Sequence, residues 1–151
     1  MIGVISDTHG LLRREALEAL QGSELILHAG DIGPSDIIEQ LRAIAPVHVV
    51  RGNCDHGPWA QALPETEVVS VGDTDIYMIH DLGLLDLNPS TAELAVVIYG
   101  HSHQPKVEER DGVLYLNPGS AGPKRFSLPV SVARLQLGTA GAQATIVELD
   151  V

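Results

Sequence analysis

The sequence predicts an α/β protein made of two β-sheets packed face to face, with helices outside. Two observations predict it. Up to about residue 55, apolar runs of strand length alternate with stretches whose apolar residues recur at helical spacing. Beyond that point, short strand-like runs follow one another across tight turns. Strand–helix–strand alternation implies right-handed crossovers and a mostly parallel sheet, whereas consecutive strands imply hairpins.

Each element has its own warrant. Residues 2–6 are apolar and partly β-branched, as a buried central strand requires. After Asp7-Thr8-His9-Gly10, the residues Leu12, Ala16, Leu17 and Leu20 share one helical face. Residues 25–27 form a second buried strand, ended by His28-Ala29-Gly30-Asp31. Pro34-Ser35 opens a second helix whose buried face is Ile37, Ile38, Leu41 and Ile44. Residues 47–50 are a third strand and lead into Arg51-Gly52-Asn53-Cys54-Asp55.

In the second half, strands at 67–71 and 76–79 flank Gly72-Asp73, and the latter strand runs into His80. A short helix is expected near 90–94, then a strand at 95–99 that ends at Gly100-His101-Ser102-His103. Residues 107–109 and 113–116 form a hairpin about Asp111-Gly112, and a last strand pair spans 131–137 and 144–149.

A chain of 151 residues has about one domain's length, so a single domain over 1–151 is expected. With 44% hydrophobic and 19% charged residues, it can bury a core without disulfides. Cys54 is the only cysteine, which agrees with a reducing cytoplasm. No basic-then-apolar leader is seen, nor any apolar run near the ~20 residues that cross a bilayer. A cytoplasmic protein that does not engage membranes is therefore expected. Twenty acidic residues against nine basic ones give a formal charge of −11, a poor surface for nucleic acid, whose binding depends on Lys and Arg meeting phosphates. A homo-oligomer is compatible with the pattern, but no interface patch can be read from it.

The polar clusters share one structural place, the loop just after a strand. Asp7 and His9 follow the first strand, Asp31 the second and Asn53 the third; His80 follows a later one, and His101 with His103 the next. Ligands of open α/β sheets gather beyond the carboxyl ends of strands, so these loops can converge. Imidazole, carboxylate and amide oxygen without thiolate suit Mn, Fe, Zn, Ni or Co in a catalytic site. Seven ligands exceed one tetrahedral ion and fit two ions when a carboxylate bridges them.

The ordered set Asp7-x-His9, Gly30-Asp31, Gly52-Asn53, His80 and Gly100-His101-x-His103 resembles the five motifs of calcineurin-like metallophosphoesterases. Gly52-Asn53-Cys54-Asp55, Tyr99-Gly100-His101-x-His103 and Asn117-Pro118-Gly119-Ser120 resemble their small YfcE-like phosphodiesterase branch. The resemblance covers nearly the whole chain. It implies a four-layer αββα sandwich and two divalent metal ions, of which Mn2+ is the expected pair and Ni2+, Fe2+, Zn2+ or Co2+ are alternatives. Asp7, His9 and His103 would hold the first ion, Asn53, His80 and His101 the second, and Asp31 would bridge. A metal-bridging hydroxide would attack phosphorus in line. Asp31, Asn53 and His101 would act catalytically through the metals, with Asn53 also binding the phosphoryl oxygens of a small phosphoester.

Two positions depart from the pattern. Cys54 stands where many relatives have a histidine that helps protonate the leaving group, so activated esters such as aryl phosphodiesters should be preferred. Asp81 follows His80 where glycine is common; it either supports a ligand imidazole or caps a loop. His28 reads as a satisfied structural histidine or as support for the site, and Asp55 as a residue that orients a ligand or holds loop amides. His48 and Cys54 read as packed residues, and His56 as a solvent-exposed side chain. A phosphomonoesterase is the nearest alternative. A non-catalytic metal-binding scaffold would be expected to carry degenerate ligands, and a nuclease is disfavoured by the charge.

Overall fold

The computed structural model describes residues 1–151. Ten strands form two five-stranded sheets. The first has β1 (Ile2–Ile5), β2 (Leu25–His28), β3 (Val47–Val49), β9 (Ser131–Gly138) and β10 (Gly141–Glu148), in spatial order β10-β9-β1-β2-β3. The second has β4 (Thr66–Val71), β5 (Thr74–Ile79), β6 (Val96–Ile98), β7 (Lys106–Arg110) and β8 (Val113–Asn117), in spatial order β4-β5-β6-β8-β7. Within the first sheet β1, β2 and β3 are parallel, and within the second β5, β6 and β8 are parallel. The chain's ends complete the first sheet because β9 pairs antiparallel with β1.

Alternation along the strands explains the layers. Ile2 and Val4 of β1, Ile76 and Met78 of β5, Val96 and Ile98 of β6, and Leu114 and Leu116 of β8 meet in the core between the sheets. The outer face of the first sheet carries Ile5, Ile26, Val49 and Val132. It is covered by α1 (Arg14–Leu20) through Ala16, Ala19 and Leu20, and by α2 (Asp36–Arg42) through Ile37, Ile38 and Leu41. Both helices are about two turns long and lack side-chain caps, so their stability comes from this apolar face rather than from propensity.

The outer face of the second sheet, with Tyr77, Ile79, Val97 and Tyr115, is covered more thinly. A single 3₁₀ turn, Leu82–Leu84, and a non-helical segment through Leu94 lie there. The helix expected near 90–94 is therefore absent. Asn88, just before Pro89, accepts backbone N–H bonds from Ser90 and Thr91 and drives a turn instead. A further short helix, α3 (Pro58–Gln61), follows β3, and its Pro58 start is a signal the apolar periodicity did not weigh. Ile44, expected on the buried face of the second helix, lies beyond its end and is only partly buried. No helix is long and apolar enough to cross a membrane.

This architecture brings together the carboxyl ends of six parallel strands, three from each sheet. The β1 and β2 loops are tied by Asp7 N–H to Gly30 O at 3.0 Å and His9 N–H to Asp31 O at 2.9 Å. The β5 and β6 loops are tied by Gly100 N–H to His80 O at 3.0 Å.

Candidate metal centre

All seven residues expected from the sequence lie at this end, in two neighbouring groups. In the first, Asp7 Oδ1 is 3.4 Å from His103 Nε2 and 3.6 Å from His9 Nε2, and the two imidazole nitrogens are 3.3 Å apart. A point equidistant from three atoms so spaced lies about 2 Å from each, the length of a metal–nitrogen or metal–oxygen bond. In the second, His80 Nε2 is 3.2 Å from Asp31 Oδ2 and 3.0 Å from Asn53 Oδ1, and Asn53 Oδ1 is 3.1 Å from His101 Nδ1. Asp31 Oδ2 also lies 3.6 Å from His9 Nε2, so one carboxylate oxygen faces both groups.

The donor inventory shows whether a cation fits. Ser6 Oγ donates to Asp7 Oδ2 at 2.6 Å and His101 N–H donates to it at 3.2 Å. Asp7 Oδ1 is left fully buried with no hydrogen-bond partner. His80 Nδ1–H donates to Ala29 O at 2.7 Å, which leaves Nε2 of the neutral ring as a lone pair aimed at two further oxygen acceptors. Acceptors converging on acceptors are costly unless a positive charge sits among them. Divalent ions held by Asp, His and Asn satisfy that arrangement.

Without metal, protons take part of this role. Burial pushes the Asp7 carboxyl up, but contacts with His103, His9 and Ser6 outweigh it and hold Asp7 well below the usual carboxylate range. Burial likewise raises Asp31, while His80 and the Cys54 N–H bring it below its ordinary value. Burial lowers His80, yet its contact with Asp31 and the field of Asp7 lift it above the ordinary imidazole value. The carboxylates thus remain ionised and ready to bind cations.

The backbone is strained at this site. Eight non-glycine residues have positive φ, and Asp7, His9, Asp31, His101 and His103 are five of them. Such conformations cost of order 1 kcal/mol or more each and persist only where surrounding contacts over-determine them. Close backbone approach does so here. A Cβ on Gly100 would collide with Ser6 Oγ and would lie 2.7 Å from Asp7 Oδ2; one on Gly52 would collide with Asp31 Oδ1.

The neighbouring polar residues have definite contacts. Asp55 is buried and holds loop amides, accepting from Gly52 N at 2.9 Å, Ile32 N at 2.9 Å and Asp31 N at 3.0 Å. His28 is fully buried and structural. Its Nδ1 accepts from Gly30 N at 3.1 Å, so Nε2 carries the proton and donates to Thr8 Oγ1 at 3.1 Å. Burial drops its pKa to about 4. Asp81 does both things open to it: Oδ1 caps the 3₁₀ turn at Gly83 N, 2.9 Å, and Oδ2 stands 4.0 Å from His101 Nε2. That oxygen therefore lies near His101 rather than the adjacent His80.

Cys54 is exposed, and burial together with Asp31 pushes its thiol pKa up, which disfavours a thiolate nucleophile. His48 sits half-exposed beside Glu67, and His56 is exposed. Sequence reasoning missed Ser6, whose signal was a polar residue closing an otherwise apolar strand. Asn117 and Ser120, which belong to a motif the sequence singled out, brace the site. Asn117 Nδ2 donates to Gly100 O at 3.2 Å, and Ser120 Oγ donates to Asp7 O at 3.1 Å.

Residues 1–140 match the calcineurin-like phosphoesterase superfamily domain. The chain belongs to that superfamily of hydrolases acting on phosphoester bonds. It is 34% identical over 150 residues to a probable metallophosphoesterase of Methanothermobacter thermautotrophicus, covering 89% of this chain and 86% of that protein. It is 28% identical over 160 residues to phosphodiesterase YfcE of Escherichia coli, covering 86% and 84%. Among solved structures, a novel archaeal phosphodiesterase gives a TM-score of 0.80 at 24% identity, over 97% of this chain and 99% of that one. Zinc-complexed Vps29 of Entamoeba histolytica gives 0.75 at 23% identity, over 99% of each chain. At these identities the two structures speak for the fold alone.

Proposed function

We propose that the protein is a dinuclear metal-dependent phosphodiesterase acting on a small phosphoester. Asp7, His9 and His103 hold one ion, Asn53, His80 and His101 the other, and Asp31 bridges. The observation that carries this reading is the convergence of carboxylate, amide and imidazole ligand atoms, above all the orphaned Asp7 Oδ1 facing two imidazole nitrogens at 3.4 and 3.6 Å. When bound, the ions supply Lewis acidity and a water of lowered pKa for in-line attack on phosphorus.

The chain's own groups set the geometry. Ser6 and the His101 N–H fix one oxygen of Asp7, so the other faces inward. The Ala29 carbonyl selects the His80 tautomer, and Asp81 steadies His101 from its far nitrogen. Asn53 turns its Oδ1 toward His80 and His101, leaving its amide nitrogen to meet a phosphoryl oxygen. Manganese is the first metal to try, since the donors are nitrogen and oxygen without thiolate. The single free thiol suits a reducing cytoplasm.

The test pairs metal analysis of the purified protein with hydrolysis of bis(4-nitrophenyl) phosphate and 4-nitrophenyl phosphate. Two metal equivalents, diester turnover exceeding monoester turnover, and loss of turnover in Asn53→Ala and His101→Ala are expected. One bound ion, or full activity in both variants, would sink the dinuclear reading. Faster monoester turnover would make it a phosphomonoesterase.

A further inference from the structure

Beside the Asn53–His80 half of the centre opens a cavity of about 400 Å³, walled by β4, β5 and the turn that follows. Three features set its chemistry. Of its lining charges, Arg51 is paired with Glu65, while Asp81 and Asp86 face no basic side chain other than the His101 imidazole beside Asp81. Tyr77 is 6% exposed, lines the cavity, and its hydroxyl finds no hydrogen-bond partner in the chain. Leu84, 71% exposed, and Ile79 add an apolar wall. The Tyr77 ring is buried, but its hydroxyl is not one of the buried polar atoms that lack a partner, so it reaches solvent and is free to bond. Here it can meet a ligand group.

We infer that this cavity seats one alcohol of the phosphodiester and selects uncharged or cationic, hydroxyl-bearing alcohols over anionic ones. The inference rests on the phosphodiesterase reading and extends it to substrate class. A diester has a phosphate that seeks the metal centre and two alcohols that do not. The cavity adjoins that centre at Asn53 and His80, so an alcohol there remains within one molecule's length of the phosphate. Uncompensated carboxylates in a concave wall focus a negative potential, which favours a cation, tolerates a neutral polyol and repels a second anion. The Tyr77 hydroxyl then supplies a hydrogen bond, and Leu84 covers the carbon skeleton. Nucleotides carrying further phosphates are disfavoured.

The test uses diesters that share one 4-nitrophenolate leaving group, so the bond broken is the same throughout. The second alcohol is choline, ethanol or glycolate, assayed with the manganese-loaded full chain. From choline to glycolate, kcat/KM should fall by about tenfold or more. Asp86→Lys should shrink or invert that ratio. In a second comparison, Tyr77→Phe should raise KM for the glycerol ester by roughly fivefold relative to the propyl ester, as loss of one hydrogen bond implies. Equal kcat/KM for all three alcohols in the wild type, or an order that Asp86→Lys leaves intact, would overturn the inference and leave the phosphodiesterase reading standing. No hydrolysis of any ester with Mn2+, Ni2+, Co2+ or Zn2+ would overturn both.

Discussion

Replacing Asp55 tests how the metal loops are held. Its carboxylate accepts three short bonds, from Gly52 N and Ile32 N at 2.9 Å and Asp31 N at 3.0 Å, and a longer one from Gly33 N at 3.4 Å. The side chain is buried, so Asp55→Ala leaves three amides without their acceptor and little access to water. Each stranded donor costs about 1–3 kcal/mol, and partial hydration of the space left makes about 3–5 kcal/mol a reasonable sum. That is a large part of the ~5–15 kcal/mol that holds an ordinary domain together. Asp55→Asn keeps the shape but turns an NH2 group toward one pair of N–H donors, so about half the loss is expected. The same bonds set Asp31 and the Gly52–Asn53 turn, so metal affinity should fall with stability, by about 10–100-fold. Urea denaturation of the metal-free protein gives the first quantity and Mn2+ titration the second. A loss under about 1 kcal/mol with unchanged metal affinity would refute the account of Asp55 as the clamp between the two loops.

Three further outcomes follow from the same contacts. His28 titrates near 4 when folded and at 6.5 when unfolded, so the unfolded state binds more protons between those values. Stability should therefore decline as pH falls through that window, by about 2 kcal/mol between pH 7 and 5. His80, whose pKa moves up, acts with the opposite sign, its stabilisation being present at low pH and lost as pH rises through its folded value. The readout is therefore the difference in urea midpoint slope between wild type and His28→Gln, and equal slopes would refute it. Gly100→Ala drives a Cβ into Ser6 Oγ and against Asp7 Oδ2. Mn2+-dependent turnover should drop by about 100-fold or more, with near-normal far-UV circular dichroism. With Cys54 where a proton donor would help, turnover should fall steeply across a series of diesters as leaving-group pKa rises, and Cys54→His should flatten that slope.

The candidate ligand residues and their places at strand ends were legible in the sequence, because short-range pattern controls them. A buried strand is an apolar run, and the loop that follows must carry whatever chemistry the end of the sheet displays. All ten strands fall at or near the expected runs for this reason, Val47–Val49 within the expected 47–50. Local preference also explains the miss at 90–94, where Asn88 and Pro89 outweigh a weak helical signal. Tertiary structure alone decided the rest. His9 and His103 lie 94 residues apart, and no spacing rule predicts that their nitrogens stand 3.3 Å from each other. Asp55 became a clamp for amides 20-odd residues away, Asp81 came to lie near His101 rather than its neighbour His80, and Tyr77 kept a free hydroxyl in a cavity. Each of these depends on how two sheets sit together, and that is set by the summed packing of many apolar side chains rather than by any local segment.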